Sequence, residues 1–365
     1  MYFAGQTFTS VPVLFMNVIP STVRLNKDKT SVLIIDQTRL PREEVYLELR
    51  TAESIWEAIY KLRVRGAPAI GITAAFGSYV CALQWKNCCT EAFTTNFYQL
   101  TQYLDSSRPT AVNLSAALRR MERVVEINLD QSVSKLLDLL LFEAETIYNE
   151  DAAACRRIGE LGLSLLTPGM GLLTHCNAGS LATSEYGTAL APIYLGQEKG
   201  YNFAVYADET RPLLQGARLT AYELSRAKVN VTLICDNMAS IVMSKGWVQA
   251  VLVGCDRVAM NGDVANKIGT SGVAILAKHY GIPFYVLGPT STIDPACKSG
   301  ESIHIEERDR TEISHMWYEN PMVPDGINVF NPSFDVTPYH LITAIVTEKG
   351  IAYPPYTDTL SQIIK

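Results

Sequence analysis

From Thr51 onward the chain repeats its apolar residues with a helical period. Ile55, Ile59 and Leu62 share one face, and the same spacing predicts further helices over 68–83, 91–104, 111–127 and 133–165. Ahead of them the first 50 or so residues are mixed, with Ser31–Asp36 reading as a strand and Gln37–Pro41 as its exit turn. Beyond Pro168 the pattern changes. Apolar runs at 171–176, 202–207, 229–235, 249–254 and 283–287 alternate with helical stretches near 180–198, 213–227, 238–245 and 270–280. Strand and helix in such alternation predict an α/β fold, a parallel sheet covered by helices on both faces. Residues 304–331 show little periodicity and several Pro and Gly, after which Thr337 and Pro338 are expected to open a last helix as N-cap and first residue. The expected domains are 1–150, a β lead-in followed by helices, and 151–365, the parallel-sheet unit.

Polar segments follow several of these apolar runs, and open α/β sheets bind ligands just beyond the carboxyl ends of their strands. Thr174-His175-Cys176-Asn177-Ala178-Gly179 and Gly254-Cys255-Asp256-Arg257 therefore bring a thiol and a carboxylate to one crevice, with Lys267 and the helix after it available for an anion. For Cys176 two readings stand, a buried packing thiol or a weak base or nucleophile. For Asp256 the choice is between a helix cap or ion pair with Arg257 and a proton donor, since Val251, Leu252, Val253, Val258 and Met260 surround it with apolar groups that favour a protonated carboxyl.

Two further loops suggest an anion seat. Arg65-Gly66-Ala67-Pro68 sets a guanidinium before a helix that begins with proline, and Arg108-Pro109-Thr110-Ala111 repeats the device, so two arginines can fork around one phosphate. In Asp208–Thr220 the charged residues read as helix caps, while Gln215 beside Gly216 is suited to turn into the crevice toward hydroxyl groups. His279, His304, His315 and His340 lack metal-ligand spacing and read as bystanders. Gly169-Met170-Gly171 precedes its strand and fails the dinucleotide-binding context, so neither a nucleotide cofactor nor a metal is expected.

Composition narrows the setting. A length of 365 residues suits two domains, 48% hydrophobic and 19% charged residues are ordinary for a soluble protein, and no apolar stretch was expected to reach the length of a membrane helix. The net charge of −6 argues against a broad nucleic-acid surface but leaves room for a local basic pocket. The start, Met1–Gln6, lacks a leader pattern and the eight cysteines are scattered without C-x-x-C, so free thiols and a cytoplasmic location are expected.

Taken together, RGAPAIG at 65–71, RPTAVNL at 108–114, THCNAGSLAT at 174–183, DETRPLLQGARLTAYEL at 208–224 and GCDRVAMNGDVANKIGT at 254–270 resemble the methylthioribose-1-phosphate isomerase family. The resemblance extends to DQTRLP at 36–41 and NPSFDVTP at 331–338. It implies a small N-terminal domain, a larger Rossmann-like domain, and a homodimeric, cofactor-free enzyme converting 5-methylthioribose 1-phosphate to 5-methylthioribulose 1-phosphate. The family is related to the regulatory subunits of a guanine-nucleotide-exchanging translation initiation factor. Carried over by motif, the catalytic acid falls on Asp256 and its assisting thiol on Cys176. Substrate contacts fall on Arg65, Gly66, Ala67, Arg108, Gln215, Asn266 and Lys267. The rival expectations are an isomerase of another sugar 1-phosphate, such as 5-deoxyribose 1-phosphate or ribose 1,5-bisphosphate, and a non-catalytic regulatory subunit. Sequence leaves open whether hydrogen moves between C2 and C1 as a proton or as a hydride.

Overall fold

The computed structural model describes residues 20–109 and 111–365. Met1–Gln6, on which the reading of the leader rested, and Thr110 of the second arginine loop lie outside them. Three short antiparallel strands, Val23–Leu25, Val32–Ile35 and Tyr46–Leu49, lead into helices Ala52–Tyr60, Ala67–Ala82, Thr90–Asp105, Val112–Glu126 and Val133–Leu163. The first helix starts where Thr51 and Ser54 exchange side-chain hydrogen bonds with each other's backbone N–H groups, which satisfies two otherwise orphan donors. It stops before Leu62, whose φ of 59° takes it off the helical face that the period assigned to it. Val112–Glu126 shows the amphipathic rule plainly: Leu114, Leu118, Met121 and Val125 are all buried, each contributing roughly 1.5–3 kcal/mol through burial.

The helix Ala67–Ala82 is apolar on every side because every side is covered. With its short continuation, Ala67–Trp85 forms 19 residues of mean hydropathy 1.3, long and apolar enough to cross a membrane by length and composition, contrary to the expectation from sequence. Some 78% of that window is buried in the protein's own core, which accounts for the composition.

The second half holds a seven-stranded sheet in the order Gly350–Ala352, Ala344–Thr347, Phe284–Leu287, Ala250–Val253, Gly171–Thr174, Ala204–Asp208, Asn230–Ile234. All its pairings are parallel except the edge hairpin formed by Ala344–Thr347 and Gly350–Ala352. Successive residues serve opposite faces: Leu172 and Leu252 pack into one apolar cluster, Leu173, Val251 and Val253 into another. Both faces are thus covered, as the continuous apolar runs require.

A second sheet of four short strands, Ile293–Asp294, Arg257–Ala259, Val264–Lys267 and Phe334–Thr337, carried no periodic signal in the sequence. It corrects the reading of the C-terminus. Thr337 ends a strand rather than capping a helix; after Pro338 come one helical turn, Tyr339–Leu341, and the edge hairpin, and the last helix is Tyr356–Ile363.

Candidate active site

The order of the main sheet decides where a ligand fits. From Gly171–Thr174 the chain builds outward through Ala204–Asp208 to Asn230–Ile234, then returns to the other flank with Ala250–Val253 and builds the opposite way. Gly171–Thr174 and Ala250–Val253 are adjacent parallel strands, so the chain reverses its direction of building between them. Beyond their carboxyl ends the connecting loops part and leave a crevice. Cys176 follows the first strand by two residues and Asp256 the second by three. A cavity of about 460 Å³ opens there, and all nine residues singled out from sequence line it: Arg65, Gly66, Ala67, Arg108, Cys176, Gln215, Asp256, Asn266 and Lys267. Its size lies in the range of small-molecule sites.

Cys176 sits in the left-handed region at φ 67°, held by Thr210, whose hydroxyl accepts its N–H (2.8 Å), and by Thr220, whose hydroxyl donates to its carbonyl (2.6 Å). A non-glycine residue in that conformation is strained and persists only where its surroundings fix it. Burial pushes the thiol above its ordinary value, while the charges of Arg65 and Lys267 pull it back. Asp256 forms no ion pair with Arg257, which reaches Asp294 instead (3.4 Å). Its carboxyl is open to the cleft, yet the enclosing walls desolvate it and raise it above the usual carboxylate range, against Lys267, Arg65 and Arg108. A ligand displacing the cleft water strengthens that desolvation. Cys255 also borders the cavity, but its thiol points to Thr292 (3.4 Å) and burial pushes it to about 12.

Three cations surround the pair. Lys267 ends the strand Val264–Lys267, donates to the Ser333 carbonyl (2.9 Å) and lies 4.6 Å from the centre of the Phe334 ring; burial lowers its ammonium, opposed by Cys176 and Asp256. Arg108 forms only a long ion pair with Glu306, 3.9 Å, among the described residues, and burial lowers it too. Arg65 stands at the entry to Ala67–Ala82, a helix whose first residue is Ala67 and second Pro68, and whose N-terminus no side chain caps. That end, with its dipole, is open to an anion. Gly66, at φ 93°, passes so close to Ala182 that a Cβ would lie 2.4 Å from its carbonyl oxygen, so only glycine fits the joint. The helix after Lys267 offers no such seat, because Asp335 accepts the N–H groups of Gly269 (2.8 Å) and Ser271 (3.1 Å). Gln215 and Asn266 are both buried, Asn266 donating to Thr270 (3.1 Å).

Two histidines belong to the site, one read as a bystander and one given no role from sequence. His304, read as a bystander, lines the cavity. His175 is buried beneath Cys176, its Nε2 2.8 Å from the Ile268 carbonyl and its Nδ1 2.9 Å from Asp208, which therefore braces the ring instead of capping a helix. A carbonyl only accepts, so Nε2 carries a proton. Burial opposes charge on the ring, but the hydrogen bond and charge of Asp208 outweigh it, and burial raises Asp208 as well. Both directions say that the proton shared by the pair is retained. The signal was available: a histidine and an aspartate stand at the ends of two consecutive strands. Asp236 lies near enough to complete a possible metal-ligand set, but its two oxygens accept the N–H groups of Thr210 and Arg211 (2.7 Å each), and both ring nitrogens are spent as well. The residues present fit a hydrogen-bonded brace rather than an ion.

Fold and site together define an α/β protein with a cationic, acid-bearing cleft at the switch point of a parallel sheet. The sequence model of the initiation factor 2 subunit family matches residues 63–354, and the chain belongs to that family. A methylthioribose-1-phosphate isomerase from Parabacteroides distasonis is 67% identical over 91% of this chain and 99% of its own length. A 5-deoxyribose 1-phosphate isomerase from Petrotoga mobilis is 59% identical over 96% of this chain and 100% of its own. Among solved structures, 5-methylthioribose 1-phosphate isomerase from Pyrococcus horikoshii superposes with a TM-score of 0.91 at 40% identity, covering 98% of this chain and 99% of that one. The resemblance drawn from the motifs is borne out.

Proposed function

We propose that the protein is an aldose–ketose isomerase converting 5-methylthioribose 1-phosphate to 5-methylthioribulose 1-phosphate. The observation that carries this reading is a thiol and a raised carboxyl opening onto one cleft, with Lys267, Arg65 and Arg108 acting on the carboxyl, in a chain 67% identical to an isomerase of that name.

The chemistry follows from the substrate. Its anomeric oxygen is esterified, so the ring cannot open spontaneously to a free aldehyde. Arg65, Arg108, Lys267 and the open N-terminus of Ala67–Ala82 hold the phosphate, and Asp256 in its neutral form delivers a proton to the ring oxygen as the C1–O bond breaks. Two routes then balance. In one, Cys176, in the thiolate form that Arg65 and Lys267 favour against burial, removes the C2 proton, electrons move into a C1–C2 double bond, and the enol regains that proton at C1 while its hydroxyl proton passes to the Asp256 carboxylate. In the other, hydride passes from C2 to the cationic C1 and the C2 hydroxyl gives its proton to the Asp256 carboxylate. Leu213, Leu219, Met316, Trp317 and Phe334 add an apolar portion to the same cavity, suited to a methylthio tail.

A second reading, the same isomerisation of 5-deoxyribose 1-phosphate, is favoured by the Petrotoga mobilis relative, because that tail is apolar too. Retention of the thiol, the acid and the phosphate loops in one chain weighs against a non-catalytic regulatory role. We further propose the layout of a small N-terminal and a larger Rossmann-like domain with the cleft between them, and a homodimer, the latter resting on family resemblance. Measuring kcat/KM for both sugar phosphates and for ribose 1,5-bisphosphate tests the reading. The methylthio substrate should be turned over; its failure to react while another sugar phosphate does would reassign the substrate, and failure of all three would sink the enzymatic reading.

A further inference from the structure

Arg65 does not face the cleft unassisted. Its Nη1 donates to the side-chain oxygen of Asn177 (2.5 Å) and its Nη2 to the Asn177 carbonyl (2.9 Å). A guanidinium has five N–H donors; these bonds use two and leave three for a ligand. The contact works only if Asn177 turns its amide oxygen toward Arg65, and an amide can equally present its NH2. Glu223 makes that choice. Its Oε1 accepts from the Asn177 Nδ2 at 2.7 Å, and its Oε2 accepts the Tyr194 hydroxyl at 2.9 Å. The Thr220 hydroxyl, whose proton is spent on the Cys176 carbonyl, accepts from the same Nδ2 at 3.2 Å. Asn177, Tyr194 and Glu223 are 3%, 1% and 0% exposed, so no water competes for these bonds. The carboxylate fits so closely against Gly179 that a Cβ there would lie 2.5 Å from Glu223 Oε2.

We propose that Asn177 and Glu223 are positioning residues for Arg65: a buried relay, Tyr194 to Glu223 to Asn177, fixes the amide so that the guanidinium presents its remaining donors to the phosphate. Glu223 does not line the cavity, whereas Asn177 borders it beside Arg65, so Glu223→Leu is the variant that reads the relay alone. The relay also explains an ionisable carboxyl at 0% exposure in a place where packing alone calls for an apolar side chain. Burial raises this carboxyl, opposed by its hydrogen bonds to Asn177 and Tyr194 and by the charge of Arg65, and the intervening asparagine keeps the carboxyl itself out of the anion's seat.

The proposal rests on the phosphate-binding reading of the cleft, so its test uses inorganic phosphate as well as turnover. Glu223→Gln, Glu223→Leu and Asn177→Leu are each assayed for phosphate dissociation constant by calorimetry, for kcat and KM with 5-methylthioribose 1-phosphate, and for melting temperature. Glutamine keeps an acceptor for Asn177, so Glu223→Gln should bind phosphate within about threefold of wild type. The leucine variants free or remove the amide, and both the phosphate dissociation constant and KM should rise by about tenfold or more while kcat falls much less. Folded leucine variants with wild-type phosphate affinity would overturn the relay, and so would failure of both to fold, which would assign the network to stability. Absence of phosphate binding by the wild type would overturn the seat itself. If wild type binds phosphate yet does not turn over the sugar phosphate, the substrate assignment fails while calorimetry still decides the relay.

Discussion

Asp256→Asn separates proton delivery from every other contribution of the side chain. Asparagine reproduces the size and polarity of a protonated carboxyl but has no acidic proton to release. A positioned general acid contributes about 10²–10⁴-fold, so kcat should fall by that factor, about 3–5 kcal/mol of lost transition-state stabilisation. KM should stay level, because asparagine stands in for a carboxyl that meets the substrate in its neutral form and leaves Lys267, Arg65 and Arg108 to the phosphate. The pH profile supplies an independent mark. Asp256 is raised by desolvation and acts as an acid when protonated, so wild-type activity should decline as pH rises through its raised value, and that limb should vanish in the variant. Stability falls with rising pH as activity does, but here the substitution acts in the opposite sense. A carboxyl raised in the folded state stabilises fully below its unfolded value, and that contribution is lost as pH rises through the folded one. Asp256→Asn should therefore melt above wild type at neutral pH, with the gain disappearing below about pH 4. Initial rates across pH and thermal melts at two pH values check all of this. A variant retaining activity within about fivefold of wild type, with the alkaline limb intact, would refute the acid role.

Cys176→Ser replaces a thiol with a hydroxyl far harder to ionise; kcat should drop about a hundredfold or more with KM held, and full activity would return Cys176 to packing. In turnover in deuterated water, solvent deuterium at C1 of the product requires a proton route, whereas complete retention of the C2 hydrogen favours a direct hydride shift. Arg65→Ala should raise KM about 10- to 100-fold through loss of a charged phosphate contact, and an unchanged KM would show that no such contact exists. His175→Leu leaves Asp208 and the Ile268 carbonyl without their partner and should cost about 3–5 kcal/mol in denaturant unfolding; an unaltered midpoint would refute the shared-proton brace.

What the sequence could and could not convey follows from the range of each signal. Periodicity is local, so Val112–Glu126, with Leu114, Leu118, Met121 and Val125 on one stripe, and the apolar strands Gly171–Thr174 and Ala250–Val253 were legible almost to their ends. Strand order is not local. Nothing in either run states that Gly171–Thr174 pairs with Ala250–Val253, yet that one pairing brings Cys176 and Asp256, far apart in the chain, to the same crevice. The motifs bridged that gap for residues whose type announces chemistry: a thiol, a carboxylate, two arginines and a lysine. They said nothing of how those residues are held. Asn177 is one of three ordinary residues after Cys176, and Glu223 was given no role within the 208–224 motif; their meaning exists only once Arg65 arrives from a different segment. Similarly, strands of two to four residues such as Ile293–Asp294 and Phe334–Thr337 are too short to develop a period, so Thr337-Pro338 was free to mimic a helix start. The chemistry of this cleft was therefore written in side-chain identity, while its geometry lies in pairings among segments that no local pattern encodes. It follows that a substitution at Glu223, outside the cavity lining, should disturb phosphate binding through Asn177 and Arg65.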